Sequence, residues 1–308
     1  MSTNILAFGE AMVEFNQRID DPRYYLEGCG GDTSNLCIAA ARQGASTGYI
    51  SAVGDDHFGK KLLGLWQQEQ VSTAHIDITP GVSSGVYFVT HDAQGHHFDY
   101  LRAGSAASRY TPAQLPLDAI AAARVLHLSG ISLAISPDAC DSGLAAMAHA
   151  RQHGVLTSFD TNLRLRLWPL ERARIKMEEA FRLCDICLPS WEDINTLTGL
   201  EDRDAIVDKL LSYGIRLVAF KLGQEGCYVA TADERRMVAP HTVEAIDATG
   251  AGDCFGGAFI ARIVAGDDPF TAARYANVAA ALSTTGYGAV APVPTATQVT
   301  QVLAHAGQ

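Results

Sequence analysis

Asp247-Ala248-Thr249-Gly250-Ala251-Gly252-Asp253, followed at once by the apolar run 254–263, is the stretch on which the fold is decided. It sets two glycines and two carboxylates directly ahead of an expected helix. Gly250 and Gly252 carry no Cβ, so the backbone can turn tightly there and a ligand can come close. A helix start offers unpaired N–H groups and the positive end of a dipole, which suits a phosphate or a developing phosphoryl charge. Asp253 then stands at that anion site as an acceptor for a hydroxyl proton. The combination reads as phosphoryl transfer to an alcohol. The alternative is an ordinary capped helix with Asp247 or Thr249 as cap. The joint presence of both acids, the threonine and both glycines weighs against it. No G-x-G-x-x-G accompanies the early strand at 5–14 and no G-x-x-x-x-G-K-[ST] occurs, so neither a Rossmann fold nor a P-loop is expected.

Outward from this stretch, strand-like and helix-like segments alternate. Residues 5–8, 155–160 and 217–221 read as buried strands, with 226–230 as the hairpin partner of the last. Residues 33–43 form an alanine-rich helix. Ser136-Pro137-Asp138 opens another that runs to 153, with a cap, a proline and an acid in its first turn. Helices at 252–265 and 269–283 complete the C-terminal half. The alternation predicts a layered α/β fold with a central, mainly parallel sheet and ligands beyond the carboxyl ends of its strands. Two strand-like stretches break the pattern, at about 12–28 and 83–102. Residues 85–102 read as a hairpin around Ala93-Gln94-Gly95. The chain is read as a single domain over residues 1–308 with these strands inserted in it.

Hydrophobic content is 48% and net charge is −11. That acidity argues against a nucleic-acid partner and gives no reason to expect a membrane surface. The apolar runs are too short or too interrupted to span a bilayer. Seven cysteines, odd in number and scattered, read as buried reduced thiols rather than disulfides or a zinc site. Met1-Ser2-Thr3-Asn4 has no signal-peptide layout, so a cytoplasmic location is expected.

The 247–253 motif resembles the C-terminal signature of the ribokinase (PfkB-type) sugar kinases. Gly30-Gly31-Asp32-Thr33-Ser34-Asn35 resembles that family's N-terminal signature, a Gly-Gly followed by an asparagine. The resemblance runs nearly end to end, from Ala7-Phe8-Gly9-Glu10 to beyond Asn277. It implies a ribokinase-like fold in which strands from 12–28 and 83–102 form a lid over the sugar, a lid that often pairs in homo-oligomers. It also implies ATP and Mg2+ as partners, an anion hole at Gly250, Ala251 and Gly252, and Asp253 as catalytic base.

Positive charge guides the choice of alcohol. Tyr100-Leu101-Arg102 precedes Gly104-Ser105-Ala106-Ala107-Ser108, and Asp160-Thr161-Asn162-Leu163-Arg164 precedes Leu167-Trp168-Pro169. A carboxylate rewards a guanidinium fork, whereas a neutral sugar asks for hydroxyl partners. Two arginines converging on one pocket therefore favour a sugar acid, although either could simply pair with a nearby acid. These two segments resemble those of 2-keto-3-deoxygluconate kinases. That likeness implies that Tyr87, Tyr100, Arg102 and Arg164 hold the keto acid and that Gly30, Gly31, Asp32 and Asn35 hold its hydroxyl end near Asp253. A fructokinase or other neutral-sugar kinase is the alternative within the family. A non-catalytic sugar-acid sensor is the alternative outside it, against which the intact glycine pair and Asp253 weigh. An oxidoreductase is disfavoured by the missing dinucleotide fingerprint.

On the nucleotide side the resemblance implies Asn162, Arg164, Ser190, Lys221, Gly223, Gly226, the 250–252 segment and Asn277, the last beside adenine. A plain glycine hairpin and an ordinary polar helix position are the alternatives for 221–226 and for Asn277. Relatives carry Asn-x-x-Glu where this chain has Ser190-Trp191-Glu192-Asp193. Asp193 keeps an acid that can reach Mg2+ through water, and Glu192 is an equal alternative. Asp247 and Thr249, with carbonyls near 281–288, are implied as a site for a monovalent cation such as K+.

Overall fold

A stretch such as Ile5–Phe8 has no polar face to show water, so it belongs between two layers of helix. That is where the computed structural model, which describes residues 3–92 and 95–305, places it. In chain order the strands are β1 (Ile5–Phe8), β2 (Met12–Gln17), β3 (Tyr25–Gly30), β4 (Thr47–Gly54), β5 (Val71–Thr79), β6 (Val86–Asp92) and β7 (Gly95–Leu101). They continue as β8 (Val125–Ser129), β9 (Leu156–Asp160), β10 (Ile186–Cys187), β11 (Leu217–Lys221), β12 (Cys227–Ala230) and β13 (Arg235–Val238). Nine of them form one sheet in the order β13-β12-β11-β10-β9-β8-β1-β4-β5. Every pairing from β5 across to β11 is parallel, and β12 and β13 close the edge as antiparallel strands. The hairpin partner expected after residues 217–221 is β12, in register from Val218↔Ala230 to Lys221↔Cys227.

The remaining four strands form a separate, mixed sheet in the order β3-β2-β6-β7. The stretch expected as strand-like from 12 to 28 is the antiparallel pair β2 and β3. Asp20-Asp21-Pro22 divides them, because proline donates no ladder hydrogen bond and restricts the residue before it. The exposed turn carries Arg18–Asp20 and Arg23–Asp21 ion pairs. β6 and β7 pair from Val86↔Leu101 to Asp92↔Gly95, as the hairpin reading requires. Of its turn, Ala93 and Gln94 lie outside the described residues.

The two sheets meet where the chain crosses between them, after β1 and after β7. Glu10 and Arg102 stand at these crossings as an ion pair, Oε2 to Nη2 at 2.5 Å, with the Glu10 side chain 1% exposed. Ser105 Oγ donates to the other Glu10 oxygen at 2.6 Å.

Helix signals were legible where they were local. Ser136 Oγ accepts from Ala139 N at 3.0 Å and opens helix Pro137–Gln152. Asp268 caps helix Pro269–Ser283, the span read from sequence, through the amides of Phe270 and Thr271. Helix Ala251–Ala265 is buried along most of its length and packs on helix Asp32–Arg42. A Cβ on Gly257 would stand 2.4 Å from Leu36 O and 2.7 Å from Ala39 Cβ. Glycine there lets the two helices close on each other, and their N-termini lie side by side as a result.

Six of the seven cysteines are buried and all are free thiols. Cys184 and Cys187 stand three apart, a C-x-x-C spacing that corrects the scattered picture. Both lie in the core, where burial holds Cys184 well above the ordinary thiol range, with its hydrogen bond to Cys187 adding to it. A thiol so raised is a poor nucleophile. Among the described residues no helix is long and apolar enough to cross a membrane.

Candidate active site

The strand ends and helix starts converge on one cleft of about 1120 Å³ between the two sheets. Clefts of roughly 300–1,000 Å³ usually suffice for one small ligand, so this one has room for a nucleotide and an acceptor together. Its floor is the first turn of helix Ala251–Ala265. Gly250 is the N-cap with φ +74°, and a Cβ on it would lie 2.8 Å from Ala289 Cβ. Of the amides that follow, Ala251 N donates to Ala248 O at 3.1 Å, and those of Gly252 and Asp253, both cleft residues, have no intrahelical partner.

Asp253 sits in that turn, partly open to the cleft yet crowded by protein. Burial raises its carboxyl to about 8; the Asp32 carboxylate adds to the rise and the Asn35 hydrogen bond opposes it. Asn35 Nδ2 donates to Asp253 Oδ2 at 2.9 Å. The start of helix Asp32–Arg42 is fixed from beneath by Thr33 Oγ1 with Tyr49 OH (2.9 Å) and by Trp66 Nε1 donating to Ser34 Oγ (2.8 Å). Asn162, with φ +26°, donates from Nδ2 to Asp32 Oδ2 at 2.7 Å and so links the loop after β9 to that helix.

The lid side supplies an aromatic and cationic wall. Tyr87, Phe98 and Tyr100 line the cleft, with the Tyr87 and Tyr100 rings 5.7 Å apart and Phe98 stacked on Tyr100 at 6.3 Å. Tyr87 OH donates to Glu14. Arg102 is 8% exposed, and its Nε and Nη2 make no aligned hydrogen bond despite the Glu10 ion pair. Arg164 reaches the cleft from the loop after β9 and donates to Leu163 O at 2.8 Å. Arg166, which the sequence reading passed over, also lines the cleft and donates to Phe98 O at 3.1 Å.

At the other end lie Ser190, Glu192 and Asp193, on the N-cap and first turn of helix Trp191–Thr198, and the turn Gly223–Glu225. Asp193 is only lightly engaged, by Thr161 Oγ1 at 3.4 Å and Arg164 Nη1 at 4.0 Å. Lys221, at the end of β11, is ion-paired with Asp160, at the end of β9, at 2.5 Å. Asp160 and Glu10 are cleft residues that motif reading left without a role. Their partners come from distant strands, so no local spacing marks them.

Gly30, Gly31, Asp32, Asn35, Tyr87, Tyr100, Arg102, Asn162, Arg164, Ser190, Asp193, Lys221, Gly223, Thr249, Gly250, Gly252 and Asp253 are thus brought to one cleft. Four expected ligand contacts are placed otherwise. Ala251 is not among the residues lining the cleft, and its amide donates to Ala248 O at 3.1 Å. Asn277 is buried and its amide donates to the carbonyls of Val238 (3.1 Å) and Ala239 (2.9 Å), so it braces the segment after β13 instead of walling the cleft. Gly226, φ +95°, is required by the backbone: a Cβ there would meet Val238 O at 2.3 Å. Asp247 accepts from Thr249 N (2.9 Å), Thr249 Oγ1 (2.6 Å) and Gly288 N (2.8 Å), which staples the 247–249 turn to the 288 loop. Among the described residues no three His, Cys, Asp or Glu side chains gather as a metal cage. Mg2+ seldom uses such a cage, since it keeps most of its waters.

An acid beside a helix start, in a cleft at the carboxyl end of a parallel sheet, defines a phosphotransferase acting on a small alcohol. The chain belongs to the pfkB family of carbohydrate kinases, whose model matches residues 2–296. Fructokinase-1 of Oryza sativa subsp. japonica is 32% identical over 320 residues, covering 98% of each chain. The 2-dehydro-3-deoxygluconokinase of Thermoproteus tenax is 32% identical over 293 residues, 91% of this chain and 87% of that one. Among solved structures, the fructokinase of Vibrio cholerae O395 with fructose, ADP and calcium bound superposes with a TM-score of 0.87 at 27% identity, covering 97% and 98%. The architecture is the ribokinase-like α/β fold that the sequence led us to expect.

Proposed function

We propose that the chain transfers the γ-phosphoryl group of ATP to the terminal hydroxyl of 2-keto-3-deoxygluconate, with Asp253 as base and the four-stranded sheet as lid of one kinase domain. The observation that carries the acid substrate is Arg102, a buried guanidinium in the cleft wall with Nε and Nη2 lacking aligned bonds. Arg164 and Arg166 share that wall. A carboxylate fits this trio better than a row of hydroxyls does.

Asp253 takes the proton from the acceptor oxygen as that oxygen attacks the γ-phosphorus and the bond to the ADP oxygen breaks. The amides of Gly252 and Asp253 hold the transferring oxygens, and Asn35 orients the Asp253 carboxylate. Tyr87, Phe98 and Tyr100 cover the acceptor and keep out water, which otherwise competes as acceptor. Glu192 and Asp193 are the groups suited to hold Mg2+ through water, and that ion supplies charge neutralisation on the triphosphate.

Phosphorylation of fructose is the alternative reading. It is favoured by Glu10, whose carboxylate already neutralises Arg102, and by the plant fructokinase relatives. A coupled ADP-release assay with 2-keto-3-deoxygluconate, fructose and ribose separates the two. Turnover confined to the keto acid supports the arginine argument; turnover on fructose keeps the kinase and removes the carboxylate role. ADP release that survives Asp253→Asn at a near-normal rate removes Asp253 as base.

A further inference from the structure

Arg42 ends helix Asp32–Arg42 outside every motif of the chain, yet its guanidinium is engaged on both edges. Nε and Nη2 make a two-pronged bond to Glu69, just past helix His57–Gln68, at 2.8 and 2.9 Å. Nη1 donates to the carbonyls of Val290 (3.0 Å), Ala291 (3.4 Å) and Val293 (2.5 Å). The Arg42 and Glu69 side chains are 20% and 12% exposed, so water competes little for these bonds. Next along the chain, Gln43 Nε2 donates to Pro294 O at 2.7 Å, and Tyr275 OH donates to Gln43 Oε1 at 2.8 Å.

The segment gripped in this way, 286–293, is neither helix nor strand. Its carbonyls have no ladder to pair them and need donors from elsewhere. Its other side meets the site. Ala289 lines the cleft, and a Cβ on Gly250 would stand 2.8 Å from Ala289 Cβ. Gly288 N donates to Asp247 Oδ2 at 2.8 Å, which sets the turn at 247–250 against the turn at 288–289. Gly250 is the N-cap of helix Ala251–Ala265, so its placement decides where the amides of Gly252 and Asp253 point. A planar guanidinium fork between a carboxylate and a row of carbonyls fixes such a loop in one place, which a point-charge ammonium does not. Near its start the same helix, Asp32–Arg42, holds the Asp253 carboxylate through Asn35. One helix therefore reaches the reacting groups twice, through Asn35 on the base and through Arg42 on the anion-binding backbone.

We propose that Arg42 is a positioning residue for phosphoryl transfer: it seats residues 289–293 against Gly250 and so sets the amides of Gly252 and Asp253 for the transferring group. This rests on the kinase reading above. Arg42 does not line the cleft and acts only through the backbone. A shift of about 1 Å, caused far from the chemistry, can cost roughly 100-fold in rate. Charge builds on the transferring oxygens in the transition state, so that is where misaimed amides are felt most.

The test is calorimetric titration of the full chain with magnesium ADP, in the presence of 2-keto-3-deoxygluconate and then of fructose, with and without aluminium fluoride. Aluminium fluoride takes the place of the transferring phosphoryl group. Arg42→Gln is expected to lose about tenfold or more of the affinity that aluminium fluoride adds, while ADP alone stays within about twofold and about one site per chain still binds. Ala289→Gly removes the contact with Gly250 from its other side and should show the same loss. The double variant should lose no more than either single one, since both act on one contact. Additive losses, or equal weakening of ADP with and without aluminium fluoride, make Arg42 a structural brace and overturn the proposal. If Arg42→Gln does not fold, Arg42→Lys, which keeps the charge without the fork, gives the same comparison. A wild-type gain that the Arg42 variant keeps sinks the positioning role alone; wild-type protein that gains nothing from aluminium fluoride sinks the kinase reading along with it.

Discussion

Asp253 as the titrating base gives a pH signature whose direction can be set by its neighbours. In the free protein its carboxyl is half ionised near pH 8. Below that point kcat/KM should fall about tenfold per pH unit, because only the ionised form accepts the proton. Asn35 donates to the charged carboxylate at 2.9 Å. A hydrogen bond to a charged group is worth about 1.5–3 kcal/mol. About 1.4 kcal/mol moves a titration midpoint by one pH unit, so Asn35→Ala should raise the midpoint by about one to two pH units. Water entering the vacated space offsets part of this and favours the lower end. Asp32→Asn removes a neighbouring negative charge and should move the midpoint the other way. The assay is ADP release at subsaturating acceptor and constant ionic strength, over a range of about three pH units on either side of neutrality. The midpoint is read, not the height, since both residues line the acceptor site. A midpoint that stays put in both variants, or moves down in Asn35→Ala, refutes Asp253 as the group that titrates.

The same carboxyl has a consequence for stability. Its folded pKa of about 8 lies above the ordinary aspartate value, so the folded state binds this proton more tightly than the unfolded state does. Its contribution to stability is therefore complete at acid pH and is lost as pH rises towards 8. Asp253→Asn should melt above the wild type at pH 9, with the gap closing towards pH 4; a gap that widens in acid contradicts this. Gly257→Ala puts a methyl 2.4 Å from Leu36 O and forces helices Asp32–Arg42 and Ala251–Ala265 apart. Denaturant unfolding should show a loss of about 1–3 kcal/mol, and kcat should fall because Asn35 and Asp253 separate; no change in either says the helices are not in that contact. Arg102→Gln leaves the Glu10 carboxylate buried without its counter-charge, and about 3–5 kcal/mol of destabilisation is expected. Adding Glu10→Gln should restore much of that stability but not the KM for the sugar acid. Recovery of both would make Arg102 purely structural.

Most of the secondary structure that sequence could reveal was marked by local chemistry. Ser136, Pro137 and Asp268 announce helix starts because a cap accepts from amides two or three residues on. Ile5–Phe8 and Leu217–Lys221 announce buried strands because both faces are apolar. The 12–28 stretch was legible as strand-like but not where it divides, because mixed polar and aromatic residues suit either one long strand or two, and Pro22 bears on it only through the ladder bond that it cannot make. Asn277 resembled a ligand residue, yet its amide is engaged by Val238 and Ala239, carbonyls nearly forty positions earlier.

The sequence alone determined the class of fold and the presence of a glycine-flanked helix start with an acid in its first turn. Both depend on contacts within a few residues and on hydrophobic period. It could not say that Glu10 meets Arg102, that Asn35 holds Asp253, or that Lys221 reaches Asp160. Those pairs join residues 61 to 218 positions apart and exist only because parallel strands end at one edge and two glycine-packed helices start side by side. Electrostatics acts through space, so charge partners and the raised carboxyl of Asp253 were decided by the tertiary structure.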